Sequence, residues 1–162
     1  MTYRLYRSGF VQRYSQNPDM AWTGQTLGHH QWGVAILLLQ LFGEEVNMVV
    51  VWEALHHDTG EMGAADVSYP AKKKYPEMAQ AVADAEINER IDMGVSEAWM
   101  MAREVDMLKL CDRLESLLFA AVRTPWVLSG DGWPELRADV QEMAERLNVG
   151  DEVAALLKEA GL

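Results

Sequence analysis

One stretch of this chain, Val46 to Lys72, constrains its fold more than any other: an apolar helical stripe runs straight into a cluster of ionisable residues. Three, seven and eight residues before His57 stand Ala54, Val50 and Val49; four, seven and eight before Asp58 stand Ala54, Val51 and Val50. Glu61 follows His57 by four. On a helix these positions share a face, so a stripe directed at the core ends in His57, Asp58 and Glu61. Bare ionisable groups are costly in a core unless something pairs them, and a divalent metal is a common partner.

The rest of the pattern is helical. Tyr3, Tyr6, Phe10 and Tyr14 are spaced by three and four, which predicts an amphipathic helix over residues 3–14 with Arg4, Arg7 and Arg13 around it. Asn17-Pro18-Asp19 is a turn, Trp22-Thr23-Gly24 continues an irregular segment, and Thr26 is an N-cap for a helix that stops at Gly43. In that helix His30 shares its face with Gly33, Val34, Leu37 and Leu38, hence points inward; His29 lies with Trp32, Ile36 and Gln40.

A third helix is expected from about Glu45 to Thr59, then a loop marked by Gly60, Gly63 and Ser68-Tyr69-Pro70, then the run Lys72-Lys73-Lys74. Pro76 opens a helix ending near Gly94. Ser96 with Glu97 should start a long helix closed by Thr124-Pro125, with a core stripe of Met107, Cys111, Leu114, Leu118 and Ala121 and with Asp112 half-buried beside it. Two shorter helices, about 134–147 and 151–160, finish the chain. No stretch alternates as a strand. The expected fold is all-α, and 162 residues suit a single domain, 1–162.

Composition limits the partners. A net charge of −11 argues against a nucleic-acid polymer, which needs clustered Lys and Arg; it leaves room for a small phosphorylated ligand. The longest apolar runs, Val34 to Leu39 and Leu117 to Val122, fall far short of the ~20 residues that span a bilayer, so no membrane partner is expected. The N-terminus lacks the apolar core of a signal peptide, and the lone Cys111 excludes an internal disulfide. A reducing cytoplasm is the expected location.

Helices thus bring His30, the His57-Asp58 pair and Asp112 to inward positions. Two imidazoles and two carboxylates suit a divalent transition metal such as Mn²⁺, Co²⁺, Fe²⁺ or Zn²⁺. Each residue alone has a plainer reading: a histidine on an apolar face is more often a satisfied core residue, and an aspartate on a helix more often a surface acid. Their convergence in one helical domain is what points to a metal, with Glu61 one turn beyond His57 placed to orient or deprotonate a water.

In order and separation, His30, His57-Asp58 and Asp112 resemble the H…HD…D pattern of the HD-domain phosphohydrolases, an all-α superfamily. The closer resemblance is to the short HD 5′-deoxynucleotidases and the related bacteriophage dATP triphosphohydrolases. In those families a Glu, then an Asp, then Pro-x-Lys follow the HD pair; here His57-Asp58-Thr-Gly-Glu61 leads to Asp66 and Pro70-Ala-Lys72. Leu110-Cys-Asp112-Arg-Leu-Glu-Ser-Leu-Leu is similar to the helix bearing the family's last ligand. The resemblance covers roughly Arg13 to Arg123.

It implies a catalytic metal held by His30, His57, Asp58 and Asp112, with Glu61 managing the attacking water. Asp66 would contact the sugar or a second divalent ion, and Lys72 would bind phosphate, with Lys73 and Lys74 as further phosphate candidates. Arg13-Tyr14 is similar to the family's nucleotide-meeting Arg-Trp pair, although the aromatic differs and the spacing to His30 is longer. The family often has Glu before the first His, where this chain has His29. Trp22 is a candidate base-stacking platform, against the plainer reading of core packing.

The implied activity is release of triphosphate from dATP by a phage-type enzyme, working in the host cytoplasm if the chain is of phage origin. The alternative is a 5′-nucleotidase acting on dNMPs; a non-catalytic HD-like nucleotide-binding module is the reading from another class. The resemblance, with six Trp and ten Met in a small chain, also implies a homo-oligomer.

Overall fold

Local chemistry places the helix ends. Thr26 caps the first long helix, its Oγ1 accepting the His29 N–H at 3.3 Å, and Gly43 at φ +49° lets the chain leave that helix in a left-handed turn. Asn47 caps the next, its Oδ1 accepting the Val49 and Val50 N–H groups at 2.9 and 3.1 Å. The computed structural model describes residues 3–64, 66–96, 98–130 and 132–162. Their α-helices are α1 Tyr3–Ser8, α2 Leu27–Phe42, α3 Met48–Ala54, α4 Glu61–Ala64, α5 Tyr69–Lys74, α6 Pro76–Asp92, α7 Ala102–Arg123, α8 Trp133–Leu147 and α9 Gly150–Glu159. Among the described residues there is no sheet, only an isolated antiparallel bridge between Gln12 and Thr26, so the fold is all-α. No helix among them is long and apolar enough to cross a membrane.

The residues sort into two compact units, Met1–Gln31 with Leu55–Glu97 and Trp32–Ala54 with Ala98–Leu162. In the first, residues 9–13 run antiparallel to 25–28: the Arg13 N–H donates to the Gln25 carbonyl, Leu27 to Val11 and Gly28 to Gly9, at 2.9, 2.9 and 3.0 Å. Helix α6 packs on α4 and α5. A Cβ on Gly60 would lie 2.4 Å from the Glu86 carbonyl oxygen, so only glycine allows this backbone approach.

The second unit is built on α7, which packs against α3, α8 and the 3₁₀ turn Pro125–Ser129. Its Leu110, Cys111, Leu114 and Leu117 are fully buried, with Val34 and Leu38 of α2, Val50 of α3, Val140 of α8 and Val153 of α9 in the same core. The N–H of Met101 donates to Glu104 at 2.7 Å, and Asn47 donates to the other carboxylate oxygen.

Several sequence expectations require correction. The helix over 3–14 stops at Ser8, because Gly9 enters the paired segment and Tyr14 adopts φ +57°. The expected helix from Glu45 to Thr59 is α3 alone. Its start is set by the Asn47 cap, and beyond Ala54 the chain runs in turns, with Thr59 N–H on the His56 carbonyl and Glu61 N–H on that of Asp58. Of the proposed stripe Val50 and Ala54 are buried, whereas Val49 is exposed. The expected loop after Gly60 contains α4 and α5, and the lysine run belongs to α5. Helix α7 begins at Ala102, not at Ser96; Glu97 lies outside the described residues. Its buried face includes Leu110, Leu117 and Ala120, wider than the expected stripe, because neighbours cover α7 from several sides; Leu118 and Ala121 are only half-buried.

Candidate metal centre

Three of the four sequence-nominated ligands come together within the first unit. His30 lies in the first turn of α2, where the cap at Thr26 fixes the helix start, and it is fully buried. His57 and Asp58 lie on the turns between α3 and α4 rather than on a continuous helix. The turn is closed by the Thr59 hydroxyl donating to the His56 carbonyl at 2.8 Å and by Gly60 against α6. The Nε2 atoms of His30 and His57 each stand 3.4 Å from Asp58 Oδ2, and the two rings are 5.3 Å apart at 59°. Asp112, the fourth sequence-nominated ligand, is half-buried on α7 in the second unit.

These distances suit a metal. Bonds of ~2.1 Å from a first-row ion put tetrahedral ligand atoms ~3.4 Å apart and trans octahedral ones ~4.2 Å apart. Both histidine–aspartate separations match the first value. They are longer than a good N–H···O hydrogen bond, so they fit atoms arranged around a common point better than a simple ion pair. The donor chemistry agrees: two imidazoles and a carboxylate are ordinary ligands of a borderline divalent ion. His30, His57 and Asp58 could hold a metal ion.

Glu61 opens α4 and is buried. Its Oε2 has no hydrogen-bond partner among the described residues. Burial, reinforced by Asp58, Asp66 and Glu86 and opposed by Arg13, pushes its carboxyl up to about 9. Without a cation beside it, Glu61 therefore carries a proton at neutral pH. A divalent charge at the neighbouring group would favour the ionised form.

The substrate-facing candidates divide. Arg13 sits where its charge acts on Glu61, with its guanidinium 5.1 Å from the Tyr14 ring centroid. Asp66 accepts the Tyr14 backbone N–H and so ties the segment after α4 to the one carrying Arg13. Lys72 donates to Glu86 at 3.3 Å, and Glu86 is among the carboxylates acting on Glu61; Arg13, Glu61, Asp66, Glu86 and Lys72 thus form one electrostatic neighbourhood. Lys73 and Lys74 are exposed, and the Lys74 ammonium stands 5.2 Å from the Tyr75 ring centroid. Trp22 is 59% exposed on the 3₁₀ turn Ala21–Thr23, its indole N–H donating to the Asp19 carbonyl at 2.9 Å.

Glu86 is the participant that sequence reasoning missed. Its only signal was register: Gly60 and Gly63, three apart, face Glu86 and Glu89, also three apart, so the glycines mark where α6 presses on the site-bearing turn. No family model, no curated protein and no solved structure matches this chain.

Proposed function

We propose that this protein is a metal-dependent phosphohydrolase of deoxynucleotides, of the HD type, and that dATP is cleaved to deoxyadenosine and triphosphate. The observation that carries the reading is the close group of His30, His57 and Asp58, accompanied by the buried carboxyl of Glu61, with Asp112 as the fourth ligand that the sequence pattern implies. Those four residues would hold the divalent ion. When bound, it lowers the pKa of a water and polarises a phosphoryl oxygen.

The chain's own residues do the rest. Glu61 orients the attacking water by accepting its hydrogen; desolvation makes it a stronger base than an ordinary carboxylate once it has lost its own proton. The water oxygen forms a bond to phosphorus, the bond from phosphorus to the 5′-oxygen breaks, and that oxygen leaves as the nucleoside hydroxyl with the proton the water gave up. Arg13 meets the phosphate charge, and Lys72 exchanges Glu86 for a phosphate oxygen. Asp66 fixes the Arg13-Tyr14 segment with one carboxylate oxygen, leaving the other for a sugar hydroxyl or a second ion.

A second reading, hydrolysis of dNMPs to deoxynucleoside and phosphate, is favoured by the state of the lysine run. Lys72 already has a carboxylate partner and Lys74 lies against Tyr75, so fewer cations stand ready for β- and γ-phosphates. Incubation of the Mn²⁺- or Co²⁺-supplemented protein with all dNTPs and dNMPs, with products separated by chromatography, decides between them. Deoxyadenosine with intact triphosphate supports the first reading, and inorganic phosphate from dNMPs alone supports the second. Metal binding with no turnover of either makes the chain a binding module and rejects both. The Glu61→Ala variant should abolish turnover while retaining the metal; unchanged turnover would remove Glu61 from the mechanism.

A further inference from the structure

The first unit carries an open cavity of about 530 Å³ lined by Tyr3, Tyr6, Arg7, Phe10, Val11 and Met62. That volume lies in the range of small-molecule sites, roughly 300–1,000 Å³. Its wall is a row of rings: Tyr3 and Tyr6 stack with centroids 6.4 Å apart at 26°, and Phe10 meets Tyr6 edge-on at 5.5 Å. The rings stay open to solvent, 74%, 58% and 65% exposed, which is unusual for three adjacent aromatic residues that could instead bury area. The Arg7 guanidinium stands 5.9 Å from the Tyr3 ring centroid, placing a cation at this aromatic wall in a chain whose net charge is −11.

The base of the cavity is anchored. Phe10 and Val11 donate backbone hydrogen bonds to Arg7 and Ser8 at 3.0 Å, and the Val11 and Gly9 carbonyls accept from the start of α2. None of the four metal-competent residues lines the cavity. Met62 does, but it is one residue beyond the buried Glu61, and on a helix successive side chains point about 100° apart.

We infer that this cavity is a second small-molecule site, separate from the donor group, which stacks the flat heterocycle of a nucleotide on Phe10 and meets its phosphate with Arg7. Ring-on-ring stacking accepts any base because every base has a π-face. The single guanidinium selects an anionic ligand over a neutral aromatic one. The choice of a nucleotide among aromatic anions rests on the proposed function; the site itself rests on the rings, the guanidinium and the cavity.

The test is calorimetric titration of the full chain, in EDTA, with dAMP, deoxyadenosine and deoxyribose 5-phosphate. EDTA and a His57→Ala variant remove the donor group from the measurement. The expected result is that dAMP binds wild type and His57→Ala equally. Phe10→Ala should weaken it about tenfold, a typical loss for one stacking partner. Arg7→Ala should weaken dAMP but not deoxyadenosine, and deoxyribose 5-phosphate should bind far more weakly than dAMP. Because these side chains are exposed, both variants should keep the wild-type Tm, so lost binding is not lost folding. Absence of dAMP binding, or binding that disappears in His57→Ala and survives in Phe10→Ala, overturns the inference. Turnover is not read, so a failure of the hydrolase reading and a failure of this one remain distinguishable.

Discussion

The two units bury apolar and polar groups in different proportions. The second encloses a large apolar core in which Leu110, Leu114, Leu117, Val140 and Val153 are inaccessible, and beside it buries Glu53, Glu104, Glu115, Ser116 and Thr124; its long helices run 22 and 15 residues. The first hides Met20, Leu27, Met93 and Val95, but alongside them it hides Ser8, Gln25, His30, Gln31, Thr59 and Glu61. Its longest helix, α6, has no buried residue and is held by the close approach of Gly60 and Gly63 and by ion pairs such as Lys72–Glu86 and Arg4–Glu89. Apolar burial stabilises a fold without direction, whereas buried polar groups cost stability unless each is satisfied. The second unit is organised mainly by the hydrophobic effect, whereas the first has a less favourable interior that brings His30, His57, Asp58 and Glu61 together.

The strongest way to break this contrast is to remove a ligand from the polar unit. His57→Ala should lower turnover by on the order of a thousandfold or more, since a metal-assisted hydrolysis loses its main charge stabilisation with the ion. Metal retained after dialysis, measured by elemental analysis, should fall below one ion per chain. In EDTA the Tm should stay within a few degrees of wild type, because His57 contributes little apolar burial. Wild-type metal content in His57→Ala would mean that the donor group is not a metal centre.

The complementary change belongs to the apolar unit. Leu114→Ala removes a side chain that is fully buried in the α7 core and should cost about 2–5 kcal/mol in urea unfolding. Activity per folded molecule should be unaltered. If instead Leu114→Ala proved nearly neutral in stability, apolar burial would not be what holds the second unit together.

The same contrast explains what could be read from the amino-acid order. The α7 register was legible because Met107, Cys111 and Leu114 recur at helical spacing, and apolar periodicity is the signal such burial leaves. Thr26, Gly43, Thr124 and Pro76 marked helix ends through local capping and proline chemistry, which needs no tertiary context. The inward position of His30 followed from the same period. Illegible were the features made by long-range contacts. Beyond the end of α3 at Ala54 the turns set Gly60 against Glu86, a partner 26 residues away, and no local pattern announces that. The fate of residues 9–14 depended on pairing with 25–28. Glu86 escaped notice because a carboxylate on a polar helix carries no periodic mark.

The smallest expected effect sharpens the comparison from inside the polar unit, through pH. Burial first, and then the neighbouring Asp58, Asp66 and Glu86, raise the Glu61 carboxyl to about 9 in the folded metal-free chain, against an ordinary value near ~4.3 when unfolded. Between those values the folded state holds a proton that the unfolded state has released, so stability must fall as pH rises. The contribution is complete below the unfolded pKa and is lost as pH climbs through the folded one. The limiting slope is about 1.4 kcal/mol per pH unit. Urea unfolding in EDTA from pH 6 to 8 should therefore show declining stability for the wild type. Glu61→Gln, which keeps the shape and cannot ionise, should flatten that decline and be the more stable chain at pH 8. Parallel profiles for the two proteins would show that Glu61 is ionised in the folded metal-free state, and that its burial does not set its charge.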